Sequence, residues 1–145
     1  LVGHSQGGYV VTRLNTMHAT DGVIANAPGP LNLVLRCGLE ENGQIGQSAV
    51  CQLMRQTYGT TTQNPDAYMA RSLLNFTAGH RSPILFVQGL QDAQIQLASW
   101  PAFKQQMTDC TTCQTRQFVE IANGGHTALF DSPEAQATYN AFIGN

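Results

Sequence analysis

The sequence predicts an α/β protein in which helices flank a parallel sheet, and two observations support this fold class. Short apolar segments bounded by turn residues alternate along the chain with segments of helical spacing. The clearest strand, over 82–89, is a continuous apolar run, which is typical of a strand buried on both faces. Strands that alternate with helices form a parallel sheet, because each helix carries the chain back to the same end of the sheet.

The elements follow one another in a simple order. A first helix is predicted from the start of the chain to about Ala19, and a short buried strand over 21–27. Between Leu31 and His80 the chain has no strand pattern, although two segments there have helical spacing. The segments predicted after the first strand are helices over 49–58 and 66–76, strand 82–89, a helix over about 96–107, strand 117–121, and a helix over 133–143 capped by Ser132.

Composition excludes several classes of protein. The chain has 145 residues, of which 42% are hydrophobic and 11% charged, with a formal net charge of −2. Moderate hydrophobicity with low charge is not the composition of a disordered chain. No uncharged apolar run approaches the roughly 20 residues of a membrane-spanning helix. The small negative charge gives no electrostatic basis for binding nucleic acid or an anionic membrane surface.

The first residues carry the strongest motif. Gly3-His4-Ser5-Gln6-Gly7 fits the pattern G-x-S-x-G, in which a strand turns sharply into a helix with the serine at the apex. We expect both glycines to be required, because a Cβ at either would collide with the neighbouring strand or helix. The helix that follows would direct its first N–H groups at a reacting oxygen. A match this short also arises by chance in glycine-rich loops, so the motif needs partners elsewhere in the chain.

Two such partners lie just after predicted strands. Asp92 comes three residues after Gly89, and His126 follows Gly124-Gly125 in the loop after the next strand. In an open parallel sheet, functional groups lie in loops beyond the carboxyl ends of the strands. A serine nucleophile needs a base, and that base needs an acidic group to orient it, so these residue types complete a possible catalytic set.

Three local patterns, GHSQGG, SPILFVQGLQDAQI and FVEIANGGHTALF, resemble the C-terminal half of an α/β-hydrolase-fold enzyme of the serine esterase, lipase and peptidase superfamily. The chain order of serine, aspartate and histidine is also the order of these enzymes. The resemblance implies Ser5 as nucleophile, Asp92 as acid and His126 as base. It further implies that the backbone N–H of Gln6 is one oxyanion-hole donor. It implies no cofactor.

The other acidic and histidine residues are expected to play structural roles. His4 should pack or contact substrate, whereas His18 and His80 should be surface or lid residues. We expect Asp131 at the N-terminus of the last helix, where a carboxylate is favoured. No metal-binding spacing is present, so no metal site is predicted. Four aspartates compete poorly with Asp92, because none directly follows a predicted strand: Asp21, Asp66, Asp109 and Asp131.

The four cysteines admit three interpretations. Cys110 and Cys113 form a C-x-x-C motif, which occurs in redox proteins and zinc sites. A thioredoxin-like motif would follow a strand and open a helix, and a zinc site would need a second such pair. Two local disulfides, Cys37–Cys51 and Cys110–Cys113, fit better. They favour an oxidising compartment, so the protein is expected to be secreted, either extracellular or periplasmic.

Two further expectations follow from the resemblance. In the resembling enzymes an insertion after this strand often covers the active site, so residues about 31–80 are expected to form a helical cap or lid. Those enzymes also have about four strands before the serine turn, and a loop after one of them supplies the second oxyanion donor. These parts are absent from the chain. We therefore expect residues 1–145 to be the C-terminal portion of one domain, with the missing N-terminal half as its partner.

The sequence therefore predicts a serine hydrolase that cleaves a carboxylic ester or related acyl bond through an acyl-enzyme intermediate. Its substrate would be a small-molecule ester or a peptide. One alternative is a serine peptidase of the prolyl-oligopeptidase or aminopeptidase type, because the same three residues serve both reactions. Another is a non-catalytic fragment or binding scaffold with the same fold.

Overall fold

A computed structural model of the chain describes residues 1–127, 130 and 132–144. Its strands are all parallel and form one four-stranded sheet in the order β1-β2-β3-β4. The predicted α/β class with a parallel sheet is confirmed. The strands are β1 (Val2–His4), β2 (Val23–Asn26), β3 (Ile84–Gly89) and β4 (Arg116–Ile121).

Helices connect and cover these strands. The predicted helices at both ends of the chain and before β4 are present with shifted bounds, whereas helix α2, over Leu33–Glu41, was not predicted. Its start is fixed by the Asn32 side chain, which accepts a hydrogen bond from the N–H of Leu35 at 3.0 Å. The helices are α1 (Gln6–Asn15), α2 (Leu33–Glu41), α3 (Ala49–Tyr58), α4 (Pro65–Met69), α5 (Gln94–Thr108) and α6 (Pro133–Gly144).

The single helix predicted over 66–76 is wrong, because the chain leaves the helix after α4 and forms a short 3₁₀ turn over Leu73–Asn75. The Ser72 hydroxyl donates to the carbonyl of Tyr68 and accepts from the N–H of Leu33. The N–H of Leu73 donates to the carbonyl of Pro30 at 3.1 Å. The bonds to Leu33 and Pro30 tie the segment to the chain around the start of α2. In a continuous helix the N–H of Leu73 would instead donate to the carbonyl of Met69.

Apolar side chains pack on both faces of the sheet. Side chains of β3 alternate, so that Ile84 and Phe86 face α1 and α5, whereas Leu85 and Val87 face α6. A third cluster lies among α2, α3 and α4, and contains Leu33, Cys37, Cys51, Met54 and Tyr68. The segment 31–80 therefore has a small helical core of its own beside the sheet.

Both expected cysteine pairs lie at bonding distance. The sulfur atoms of Cys37 and Cys51 are 2.13 Å apart and join α2 to α3. Those of Cys110 and Cys113 are 1.97 Å apart, in the turn between α5 and β4.

Across the residues that the structure describes, no helix combines the length and apolar character needed to cross a membrane.

His80 is buried, so the expectation of a surface or lid histidine is wrong for this residue. Its Nε2–H donates to the carbonyl of Phe76 at 2.9 Å, and its Nδ1 accepts from the Asn15 amide at 3.2 Å. Burial lowers the pKa of His80; the hydrogen bond to Phe76 opposes this shift in part, and the charge of Arg116 adds to it. The hydrogen bonds thus suit a neutral imidazole.

We expect acid to destabilise the fold through His80. Because its pKa is lower in the folded state than in the unfolded state, the unfolded chain binds more protons below the unfolded pKa of about 6.5. The stability that depends on the neutral ring is complete above that pH and is lost as the pH falls through it. Urea unfolding at about pH 7.5 and about pH 5 should show a steeper loss for the native protein than for His80→Gln. His18→Gln, at an exposed position, should retain the native slope. Equal slopes for all three proteins would contradict this role of His80.

Candidate active site

Ser5 lies at the turn between β1 and α1, in a backbone conformation that non-glycine residues rarely adopt. Its φ is 58° and its ψ is −115°. The turn is held on both sides: the N–H of Ser5 donates to the carbonyl of Asn26, and its carbonyl accepts from the N–H groups of Tyr9 and Gly29. Strain of this kind persists only where the surroundings fix it, and it often accompanies function. It places the serine at the carboxyl end of β1.

The glycines around Ser5 do not have equal roles. A Cβ on Gly3 would lie 2.1 Å from the carbonyl oxygen of Gly7, which no backbone could accept. A Cβ on Gly7 would meet nothing within 4 Å, so the expectation that Gly7 is sterically required is wrong. Gly8 is crowded instead, because its Cβ would lie 2.9 Å from the Cα of Pro28. The helix thus approaches β1 at one glycine and the chain after β2 at another.

Alanine at Gly3 and alanine at Gly7 should therefore change stability in opposite directions. Gly3→Ala forces backbone apart and should lower the free energy of unfolding by about 3 kcal/mol or more. Gly7→Ala fills open space inside α1 and should raise it by about 0.5–1 kcal/mol, because alanine favours the helix. Chemical denaturation of both variants measures these values. Similar losses for both would show that the turn around Ser5 is not packed as described.

Close packing of two glycine-containing loops brings the regions of Asp92 and His126 together. A Cβ on Gly89, at the end of β3, would lie 2.3 Å from the carbonyl oxygen of Gly124, which follows β4. The same carbonyl accepts a hydrogen bond of 2.8 Å from the N–H of Gln91. The loops after these two strands therefore touch through their backbones. This contact places the two side chains at one end of the sheet, as expected for functional loops.

Ser5, His126 and Asp92 form one line of contacts. The Oγ of Ser5 lies 3.0 Å from His126 Nε2, and His126 Nδ1 lies 3.0 Å from Asp92 Oδ2. The Asp92 side chain is 2% exposed, whereas that of His126 is 43% exposed. The imidazole thus has one nitrogen on a buried carboxylate and the other on a hydroxyl. This arrangement can move a proton from Ser5 to the ring and stabilise the resulting charge.

Two N–H donors hold the Asp92 carboxylate in place. Its Oδ1 accepts from the N–H of Ala93 at 2.6 Å, and its Oδ2 accepts from the Gln88 amide at 2.9 Å. Gln88 is fully buried, and its own oxygen accepts from the Gln96 amide at 3.0 Å. Gln96 also donates to the carbonyl of Pro28. Neither glutamine was among the predicted site residues. Gln88 carried a signal, as the lone polar side chain in an otherwise apolar strand, whereas Gln96 on α5 carried none.

Two other residues lie beside this set. The His4 ring lies 4.9 Å from the ring of His126 and 4.7 Å from that of Phe130, and His4 Nε2 lies 2.7 Å from the carbonyl oxygen of His126. His4 therefore packs against His126. Gln6 is the first residue of α1, where backbone N–H groups have no acceptor within the helix. The backbone N–H of Gln6 directly follows Ser5 in the chain.

A cavity of about 560 Å³ opens onto Ser5 and His126. This volume is within the range of small-molecule sites. One wall comes from the loop after β3 and the start of α5, at Gln91 and Ile95. Another part of the lining comes from the segment predicted as a cap, at Leu33, Arg36 and Val50. The predicted cap segment therefore contributes side chains to the same cavity as Ser5.

The remaining candidates from the sequence lie elsewhere. Asp21, Asp66 and Asp109 are exposed, and Asp109 ends α5. His18 is exposed, as predicted. Asp131 lies outside the described residues. Within the ranges 1–127 and 132–144 and at residue 130, no group of three or more histidine, cysteine or acidic residues could hold a metal ion.

Comparisons with known proteins identify shared structure but not a close relative. No protein-family model matches the sequence, and no curated protein is significantly similar to it. An acylaminoacyl peptidase from Pyrococcus horikoshii matches with a TM-score of 0.67 and 16% identity, over 99% of this chain and 22% of that chain. An esterase from Pyrococcus furiosus matches with a TM-score of 0.62 and 14% identity, over 99% of this chain and 51% of that chain.

A truncated carbohydrate esterase from gut microbiota matches with a TM-score of 0.68 and 15% identity, over 99% of this chain and 57% of that chain. The chain thus spans between about a fifth and three fifths of the length of these three structures. Likeness of this kind shows a common fold.

Proposed function

We propose that the chain carries the catalytic residues of a serine hydrolase acting on a carboxylic ester. The chain has the α/β-hydrolase fold, as its motifs implied. The observation that carries this proposal is the line of contacts from Ser5 through His126 to Asp92, each of 3.0 Å. The serine lies in the strained turn and opens onto a cavity of small-molecule size. The residues of the site indicate the reaction better than the fold does, because one fold serves many reactions.

In the proposed reaction, Ser5 Oγ attacks the carbonyl carbon of the ester while His126 Nε2 takes the hydroxyl proton. Asp92 holds the ring with its other proton on Nδ1 and stabilises the imidazolium that forms. His126 then gives its proton to the leaving alcohol, and the acyl group remains on Ser5. Water then attacks the acyl carbon while His126 Nε2 takes one of its protons. His126 returns that proton to Ser5 Oγ as the bond between Ser5 and the acyl group breaks, which releases the acid.

Charge that develops on the carbonyl oxygen needs hydrogen-bond donors. We assign one donor to the N–H of Gln6, at the start of α1, where the helix dipole adds to the attraction. A second donor would come from a part of the protein that precedes β1. A single missing donor costs about 10²–10³ in turnover, so activity should be measured on the full-length protein.

We further propose that residues 1–145 are the C-terminal portion of a larger hydrolase domain. β1 is an edge strand, and Leu1, Val2 and Val10 leave 51–66% of their surface exposed beside it. Apolar side chains along an open strand edge are unfavourable unless other chain covers them. Residues about 31–80 would then serve as a cap over the cavity that contains Ser5.

A peptidase is the second candidate, because the structures that match include an acylaminoacyl peptidase and a puromycin hydrolase. Ester bonds and peptide bonds are both cleaved by the same attack of the serine on the carbonyl carbon.

The two disulfide-distance cysteine pairs favour an oxidising compartment, so we propose that the protein is extracellular or periplasmic.

Substrate panels on the full-length protein test these proposals. We expect turnover of 4-nitrophenyl esters of short carboxylic acids, with a burst of nitrophenolate as the acyl-enzyme accumulates. Faster turnover of acylaminoacyl 4-nitroanilides, compared by kcat/KM, would support the peptidase instead. Absence of turnover on both panels would support a binding scaffold.

A further inference from the structure

The cavity next to Ser5 contains one accessible charged side chain among its described residues. Two of these residues, Arg36 and Asp92, carry a formal charge at neutral pH. Asp92 is buried and faces His126, so its carboxylate does not meet a ligand. The Arg36 side chain is 38% exposed and lines the cavity from the segment 31–80. Several other lining residues are alanine, proline, leucine, valine and isoleucine.

The guanidinium of Arg36 is anchored at one end. Its Nε donates to Oε2 of Glu40, one turn further along α2, at 3.4 Å. Glu40 is itself buried and accepts from the N–H and hydroxyl of Ser48, at 2.6 Å and 2.7 Å. Because Ser48 caps α3, the Glu40 carboxylate links α2 to α3 and holds the Nε end of the Arg36 guanidinium.

Glu40 remains a carboxylate in this setting. Burial alone would raise the pKa of its carboxyl, but the hydrogen bonds from Ser48 and Arg36 outweigh burial and the pKa is lowered. A buried carboxylate with an ion-pair partner is costly to leave unpaired, so it retains the guanidinium beside it. The orientation of Arg36 thus follows from contacts behind it.

The other end of the guanidinium is available to a ligand. Arginine has five N–H donors in a planar fork, and Glu40 receives one of them. Among the described residues, the Nη atoms of Arg36 make no hydrogen bond to another protein group. A fork held at its Nε suits carboxylate and phosphate oxygens, which arginine binds through paired hydrogen bonds.

We propose that Arg36 is a specificity-determining residue that selects ester substrates carrying an anionic group, such as a second carboxylate, in addition to the scissile ester bond. This inference rests on the proposed hydrolase function, because it uses the same cavity. The anion can belong to the acyl part or to the leaving alcohol. Partial shielding from water strengthens the contact above that of an open surface pair.

Two pairs of substrates test the proposal on the full-length protein. Mono-4-nitrophenyl adipate and 4-nitrophenyl hexanoate place the charge, or its neutral equivalent, on the acyl side. 4-Acetoxybenzoate and its methyl ester place it on the leaving side. Each substrate is compared with itself between native protein and variant, so differences in leaving group cancel.

Arg36→Met should lower kcat/KM for an anionic substrate by about 10- to 100-fold, with a change of less than about threefold for its neutral partner. Arg36→Lys should retain part of the preference, because it keeps the charge but loses the fork. Arg55→Met is the matched control: Arg55 lies on α3, bonds to Gln47 and does not line the cavity. It should leave the anionic-to-neutral ratio unchanged.

The outcomes separate this inference from the proposed function. The substrate pair that loses its preference in Arg36→Met identifies the side on which the anion binds. Equal losses on anionic and neutral esters would make Arg36 a purely structural residue, and an unchanged ratio would remove it from substrate binding; both results overturn the inference. Hydrolysis of the neutral esters by native protein would still support the proposed function. Failure of native protein to cleave any ester would overturn the proposed function itself.

Discussion

Replacing Ser5 with alanine is expected to lower kcat for ester hydrolysis by about 10⁴- to 10⁶-fold, with the fold intact. The methyl group cannot attack the carbonyl, and no other described hydroxyl lies against His126 Nε2. Steady-state kinetics with a 4-nitrophenyl ester, at matched enzyme concentration and with background hydrolysis subtracted, gives the loss directly.

The matched control for this variant is Ser99→Ala. Ser99 is another buried serine, on α5, and it does not line the cavity that contains Ser5. It should leave kcat within about threefold of the native value. If Ser5→Ala kept more than about a tenth of the native kcat, the nucleophile would have to be another group.

Replacing Asp92 with asparagine should have the second-largest effect, a loss of about 10⁴-fold in kcat. Asparagine has nearly the same shape, so the hydrogen bond from Ala93 can persist. Its amide, however, can present N–H groups to His126 Nδ1, which would move the ring proton to Nε2. His126 could then no longer take a proton from Ser5.

Asp109→Asn is the control for this loss of charge. Asp109 is exposed at the end of α5, and its substitution should change kcat by less than about twofold. Thermal unfolding should show that Asp92→Asn remains folded. A retained kcat within about tenfold of the native value would mean that another group orients His126.

Much of the fold could be predicted because its signals are local. β3 is apolar apart from Gln88, and glycines and polar side chains mark the ends of β3 and β4. Three residues, Ser5, Asp92 and His126, each follow a strand. Because functional loops lie at one end of a parallel sheet, their proximity could be predicted from the sequence.

Contacts distant in sequence account for what could not be predicted. The break after α4 depends on Ser72 bonding to Leu33, 39 residues away. His80 is buried because Asn15, 65 residues earlier, supplies a partner for its ring. The crowding that favours Gly8 over Gly7 comes from Pro28, on a neighbouring segment. None of these partners is evident from spacing or composition.

The proposed role of Arg36 in the cavity also depends on contacts that the sequence does not reveal. Arg36 and Glu40 look like an ordinary helical ion pair one turn apart, worth about 0.3–0.5 kcal/mol on an open surface. In the structure, however, the Glu40 carboxylate is bonded to Ser48 and the Arg36 side chain lines the cavity. A sequence pattern describes the pair, whereas only the packing of α2 against α3 describes its setting.

Covalent labelling tests the central claim most directly. The full-length protein is treated with a fluorophosphonate, which reacts with an activated serine, and the adduct is located by tandem mass spectrometry. We predict a single modified residue, Ser5, with labelling abolished in Ser5→Ala and strongly slowed in Asp92→Asn. An adduct on any other residue, or ester hydrolysis that continues while Ser5 stays unmodified, would contradict the assignment.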